Sequence, residues 1–94
     1  MSGDPVSGTA RAQVPARLID LSLGGALLDL TTVLEVGAIH DFALQLDHEV
    51  LWVQGEVRRC RQVRPDGFEV GIEFIGIHPQ DQRRLQTYVE QRRS

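Results

Sequence analysis

The chain has 94 residues, of which 41% are apolar and 24% are charged, and its formal net charge is −3. A chain of this length forms one domain with a modest core, and this composition is that of a globular protein rather than a disordered one. No apolar run approaches the ~20 residues that a membrane span needs, so we expect no membrane insertion.

The charged and metal-binding residue types narrow the classes of partner. All ten basic residues are arginines. A net acidic domain does not attract polyanions over its whole surface, which argues against DNA or RNA as partners, although arginine allows local recognition of phosphates or guanine edges. The single cysteine, Cys60, excludes an internal disulfide. The histidines (His40, His48 and His78) have no metal-ligand spacing, so we predict neither a metal site nor a cofactor.

The N-terminal part is predicted to contain a tail, a strand and a turn. Residues 1–9 are polar and glycine-rich, which is typical of a flexible tail, and residues 10–94 then form a single domain. The tail lacks the apolar core of a secretory signal, so we expect a cytoplasmic protein. Residues 12–19 predict an edge strand, because Pro15 cannot donate a hydrogen bond to a central ladder. Residues 20–25, with glycine and short polar side chains, predict a turn.

Two strands and a long third one are predicted after this turn. Residues 26–30 form a short apolar strand, and apolar residues alternate with polar ones over 41–46, which is typical of a half-buried strand. Residues 47–48 predict a tight hairpin turn. The long strand runs from residue 49 to about residue 62, and Gly55 within it indicates a bulge or a bend.

The C-terminal part predicts a last hairpin and a helix. Residues 64–67 contain Pro and Gly at the positions that a β-turn favours, and residues 68–74 alternate as a strand does. A helix is predicted over about 79–92, with Pro79 suited to its first turn. Its apolar stripe consists of Leu85, Tyr88 and Val89. These elements predict a mostly β fold, a small antiparallel barrel whose strand edges are covered by one C-terminal helix.

A motif in the predicted turn connects the chain to a known family. Asp20-x-Ser22-x-x-Gly25 matches the Asp/Asn-x-Ser-x-x-Gly signature of the PilZ family, and the strand at 71–74 followed by a helix resembles the end of that family's domain. The resemblance covers roughly residues 12–91. It implies a six-stranded antiparallel β-barrel, a bacterial regulatory role without enzymatic activity, and cyclic di-GMP as the ligand.

The resemblance also implies a role for each residue of the motif. Asp20 would accept hydrogen bonds from the N1 and N2 edge of a guanine, and Ser22 would donate to a phosphate or a guanine acceptor. Gly25, which has no side chain, would let the ligand approach the main chain closely. The alternative is structural, because Asp20 and Ser22 can also satisfy local backbone groups in an Asx- or Ser-type turn.

The sequence departs from the family pattern upstream of the motif. Family members that bind the messenger usually carry Arg-x-x-x-Arg there, and no such pair occurs in residues 1–19. Arg11 and Arg17 are six residues apart; both are candidate ligand residues, Arg11 the better one, and otherwise both face solvent. The first strand of the usual barrel is absent, or the tail or a second molecule supplies it. Losing hydrogen bonds to charged groups, at ~1.5–3 kcal/mol each, would weaken the affinity.

Four arginines near the last predicted turn form the most concentrated positive patch: Arg58, Arg59, Arg61 and Arg64. Along a regular strand Arg59 and Arg61 share one face and Arg58 lies on the other. The patch is either a solvated hairpin end or an edge that contacts a partner or a phosphate.

Two functions follow from these patterns. The first is a PilZ-type receptor that binds cyclic di-GMP, with weakened affinity, and signals to a partner protein. The alternative is a degenerate PilZ-like adaptor that binds no nucleotide and acts through protein contacts, for example as a homodimer. An enzyme is not expected, because no nucleophile–base pair, metal spacing or phosphate-binding glycine-rich motif is present.

Overall fold

The computed structural model describes residues 13–46 and 48–93, which form five β-strands followed by one α-helix. These elements are β1 (Gln13–Leu21), β2 (Gly25–Leu30), β3 (Ile39–Gln45), β4 (Val50–Arg64), β5 (Gly67–Ile77) and α1 (Pro79–Arg93). The tail predicted over residues 1–9 lies outside the described residues.

The five strands form a closed barrel in the order β1-β2-β5-β4-β3. Four of the neighbouring pairs are antiparallel, and a parallel pairing of β1 with β3 closes the ring. The predicted fold class, a small mostly β barrel with one C-terminal helix, is confirmed. The described part of the chain supplies five strands of a barrel that has six in the usual family pattern.

The strand that contains Pro15 is not an edge of the described sheet, because β1 lies between β2 and β3. β1 pairs with β3 from Gln13 to Arg17, whereas it pairs with β2 only from Arg17 onward. Among the described residues, Pro15 therefore lies where β1 pairs with β3 alone. The missing N–H of proline costs no ladder hydrogen bond where it faces the side without a partner.

The core consists of the inner faces of the strands and one face of the helix. The side chains of Phe42, Leu44, Leu51 and Val57 are completely buried, and the burial of Phe42 and Leu44 agrees with the alternation predicted over residues 41–46. Other buried members of the same cluster are Ala16, Leu28, Leu30, Val53, Val70 and Ile72. From α1, Leu85 and Val89 join this cluster, so the apolar stripe of the helix packs onto the barrel.

Several register shifts interrupt the ladders, as expected for strands that bend around a small barrel. In β1 the shift lies between Leu18 and Asp20. Between β4 and β5, shifts lie between Gln54 and Gly55, between Val57 and Arg59, and between Gln62 and Arg64. The irregularity predicted at Gly55 is therefore confirmed.

Gly55 also makes room for an aromatic ring in the core. A Cβ atom at this position would lie 3.0 Å from Ile72 Cδ1 and 3.3 Å from two ring carbons of Phe42. These distances are shorter than ordinary van der Waals contacts, and the Phe42 side chain is fully buried. The absence of a side chain at Gly55 thus allows Phe42 to fill the middle of the barrel.

We expect Gly55→Ala to lower the free energy of unfolding by about 1–3 kcal/mol, because an extra methyl group overpacks a filled core. The loss should be smaller in a Phe42→Leu background, which removes the ring edge that the methyl group meets. Urea denaturation of the wild type, both single variants and the double variant measures this coupling. Equal losses in the two backgrounds would show that Phe42 does not set the space at Gly55.

Candidate ligand-binding site

Residues 20–25, here called the elbow, connect β1 to β2 at the barrel surface. The backbone N–H of Ser22 donates to the carbonyl oxygen of Gly25 at 2.9 Å, which closes the turn. The carbonyl oxygen of Gly24 accepts a hydrogen bond from the N–H of Phe74 at 2.9 Å. The second bond fastens the elbow to β5, so its position is set by the barrel rather than by the turn alone.

Asp20 is exposed and uses one carboxylate oxygen within the elbow. Its Oδ1 accepts a hydrogen bond from the N–H of Leu21 at 2.9 Å. Within the described residues Oδ2 has no hydrogen-bond partner. The carboxylate therefore satisfies a local backbone group, as the structural alternative expects, and still has an oxygen that can accept from a ligand.

Ser22 is also exposed, and its hydroxyl group is used within the elbow. Its Oγ donates to the carbonyl oxygen of Gly25 at 3.2 Å. The hydroxyl oxygen retains lone pairs that can accept a hydrogen bond, whereas donation to a ligand requires the O–H to rotate away from Gly25.

Gly25 is required by the fold, because β2 approaches the main chain of β5 closely at this residue. A Cβ atom on Gly25 would lie 2.3 Å from the carbonyl oxygen of Ile72, which belongs to the backbone and cannot move aside as a side chain can. The contact with β5 is sufficient to explain a glycine here, independently of any ligand.

The residues of the motif line one shallow depression of about 250 Å³ on the outer surface. Its walls include Asp20, Ser22 and Gly25, and a residue from β4, Arg59. The other residues of its lining are Leu21, Ala26, Leu27 and Gly71. The structure thus brings the three motif residues together and adds a guanidinium group that sequence reasoning did not assign to this site.

A row of cross-strand neighbours forms the floor of the depression. Asp20 pairs with Leu27, Leu27 pairs with Gly71, and Gly71 pairs with Arg59. Because neighbouring strands lie about 4.8 Å apart, the path along this row from Asp20 to Arg59 is roughly 14 Å long, and the curvature of the closed ring makes the direct distance between the two Cα atoms shorter. A carboxylate thus stands at one end of the row and a guanidinium group at the other.

A bulge at Arg58 places Arg59 on the outer surface. Val57 is completely buried and pairs with Ile72, whereas Arg58 and Arg59 are both exposed. Regular alternation from Val57 would turn Arg59 back toward the core. The prediction that Arg58 and Arg59 lie on opposite faces is therefore wrong, because the extra residue shifts the alternation by one.

A similar irregularity occurs in β1. Leu18 packs against the core, and Ile19 and Asp20 after it are both exposed, with the register shift between Leu18 and Asp20. Leu21 then returns to the buried side. The two ionised side chains of the depression each follow an extra outward-facing residue in their strand.

The arginines of the positive patch differ in their partners. Three of them form ion pairs with carboxylates of other strands: Arg58 with Glu73 at 3.1 Å, Arg61 with Glu69 at 3.0 Å, and Arg64 with Asp29 at 2.9 Å. Arg59 makes no hydrogen bond or ion pair with any residue that the structure describes. Most of the patch is thus a solvated, internally neutralised hairpin, and Arg59 keeps its charge available.

The structure does not bring Arg17 to the elbow. Arg17 is exposed on β1 and lines a separate cavity of about 470 Å³, together with Tyr88 and Arg92 of the helix. Arg11 lies outside the described residues. The ligand-binding roles of these two arginines remain predictions.

The described residues also bear on metals and membranes. Among residues 13–46 and 48–93, no group of three His, Cys, Asp or Glu side chains is placed to hold a metal ion. The helix in that part of the chain is too short and too polar to cross a membrane.

The described residues thus form a small closed barrel with a helix packed against it and a polar, charged depression on its outer surface. A family model described as the PilZ domain matches residues 5–91, and the chain therefore belongs to the PilZ family. PilZ domains are regulatory binding modules rather than enzymes, and they generally bind cyclic di-GMP. Searches of curated proteins and of solved structures give no significant match to this chain.

We expect Gly25→Ala to lower the free energy of unfolding by at least about 1–3 kcal/mol, because the new methyl group collides with the β5 backbone. Gly24→Ala is a matched control, since a Cβ atom there has no neighbour within 4 Å. Its effect should stay within about 0.5 kcal/mol, as for most surface substitutions. Thermal and urea denaturation without ligand measure both. Equal stability of the two variants would remove the structural explanation for Gly25.

Proposed function

We propose that this PilZ domain binds cyclic di-GMP in the depression at the elbow and signals the bound state to a partner protein. The observation that carries the proposal is the convergence of Asp20, Ser22 and Gly25, the three residues of the family signature, on one exposed surface. A signature that served only a turn would not need an open depression beside it.

The chemistry of these groups suits a guanine dinucleotide. A guanine presents only donors at N1 and N2, and an exposed aspartate is an acceptor for both. The floor beside it is low because Gly25, Ala26 and Gly71 have small or absent side chains. The volume of about 250 Å³ is below the ~300–1,000 Å³ of pockets that enclose a drug-sized ligand, so the dinucleotide lies across the surface.

The proposal also includes two further ligand contacts and a cellular location. Arg11 and Arg17 are retained as ligand contacts, and Arg11 is the better of the two because Arg17 lines a different cavity. A receptor for this bacterial second messenger acts in the cytoplasm, where it reports to its partner protein.

Calorimetric titration with cyclic di-GMP should give a dissociation constant in the micromolar range or below. Asp20→Ala should weaken binding by at least about tenfold, because hydrogen bonds to a charged group contribute ~1.5–3 kcal/mol each. Asp66→Ala is the matched control, since its side chain is 87% exposed on the turn between β4 and β5. Its dissociation constant should remain within about twofold of wild type. Equal affinities for the two variants would show that the elbow is not the binding site.

A second candidate function is protein contact without nucleotide, and one apolar surface favours it. Leu23 of the elbow is 59% exposed and Ile75 of β5 is 46% exposed. Both line a groove of about 580 Å³ that also includes Leu85 of the helix. Absence of heat on titration at high protein concentration would favour this adaptor function, and a homodimer in solution would then be the first interaction to examine.

A further inference from the structure

We propose that Arg59 binds a phosphate of the dinucleotide and thereby supplies, from β4, a positive charge in place of the Arg-x-x-x-Arg pair that residues 1–19 lack. This inference rests on the proposed function, because it assigns one more ligand contact within the same site. It concerns a residue outside the signature, on a strand about forty positions further along the chain.

The first argument is electrostatic. Gly71, the strand neighbour of Arg59, lies between Glu69 and Glu73 in β5. Both glutamates already form ion pairs, Glu69 with Arg61 and Glu73 with Arg58. Arg59 is therefore beside carboxylates that are occupied by other arginines. It is the guanidinium group in the lining of the depression, and no described residue neutralises it.

The second argument is reach. A Cβ atom built on Gly71 would lie 3.8 Å from Arg59 Cβ and 3.9 Å from Arg59 Nε. The Arg59 side chain therefore extends from β4 over β5 at Gly71. Beyond β5 in this direction lie β2 and the elbow. Because Gly71 has no side chain, nothing at that position separates the guanidinium group from the rest of the depression.

The third argument comes from the two bulges. A bulge leaves a residue unpaired and disrupts the ladder locally, and such irregularities frequently re-aim a side chain at functional sites. Here the extra residues Ile19 and Arg58 turn Asp20 and Arg59 outward. Both bulges thus place an ionised side chain at an end of the same cross-strand row.

The two ends of the row complement two different groups of the dinucleotide, a guanine and a phosphate. The Asp20 end accepts hydrogen bonds, as the donor edge of a guanine requires. The Arg59 end presents a planar guanidinium group, which binds phosphate oxygens with two parallel hydrogen bonds. The row between the two ends is low, with Leu27 as its largest side chain, so a flat ligand can extend across it.

The test compares two arginines of the same strand in cyclic di-GMP titrations. Arg59→Ala removes no hydrogen bond or ion pair within the described residues, so its melting temperature should stay close to that of the wild type, and its affinity should fall about 10- to 100-fold. Arg61→Ala removes an equal charge that is paired with Glu69, and its affinity should stay within about twofold of wild type. Arg59→Lys should give an intermediate affinity, because an ammonium keeps the charge without the planar pair of donors.

The outcomes separate this inference from the proposed function. If the wild type binds and both alanine variants lose affinity equally, or neither loses it, Arg59 has no specific role and the inference is overturned. If the wild type gives no heat, the proposed function itself fails. As a second measurement, salt should weaken ligand binding to the wild type and to Arg61→Ala more steeply than to Arg59→Ala, since screening acts on the lost ion pair.

Gly71→Val tests the path of the Arg59 side chain. Valine is a favourable outward-facing strand residue, so the melting temperature should not fall. Its methyl groups would occupy the space beside Arg59 Cβ and Nε and displace the guanidinium group, so the affinity for cyclic di-GMP should fall by at least about tenfold. Wild-type affinity in a folded Gly71→Val protein would contradict the proposed path.

Discussion

Closure of the barrel requires every strand to have a hydrogen-bonded neighbour on both sides, and this constraint determines much of the surface as well as the core. β4 and β5 are 15 and 11 residues long and must bend to remain paired around a ring of five strands. Register shifts provide the bend. Each shift also changes which side chains face outward, so the same irregularities that close the ring set the positions of the charges on its outer surface.

The glycines show how closely the fold and the candidate site are connected. Gly55 leaves room for a buried ring, Gly25 allows two strand backbones to approach, and Gly71 leaves open space beside Arg59. Of these, Gly25 belongs to the family signature, yet its contact with the Ile72 carbonyl concerns the barrel alone. A motif residue can therefore be required by the scaffold itself, independently of any ligand.

Local patterns in the sequence predicted the elements of this fold but not the long-range pairing. The alternation in β3 and β5, the irregularity at Gly55 and the stripe on α1 are local properties, and the structure has them. The parallel pairing of β1 with β3 depends on closure of the whole ring. The position of Arg59 was missed because alternation was continued through a bulge. Two consecutive arginines after buried Val57 are the signal in the sequence, since regular alternation would bury one of them.

The charge distribution is compatible with the proposed binding of an anion by an acidic domain. The chain has a formal charge of −3, and carboxylates of β5 and β2 form ion pairs with three of the four arginines around the β4–β5 hairpin. Such pairing neutralises most of the positive charge that this hairpin would otherwise present to a nucleic acid. In the proposed site, the Arg59 guanidinium group, which pairs with no described residue, and the Asp20 carboxylate would together favour a small ligand that combines a phosphate with a donor edge. Selectivity would then depend on the spacing between Asp20 and Arg59, which the row of paired strands sets.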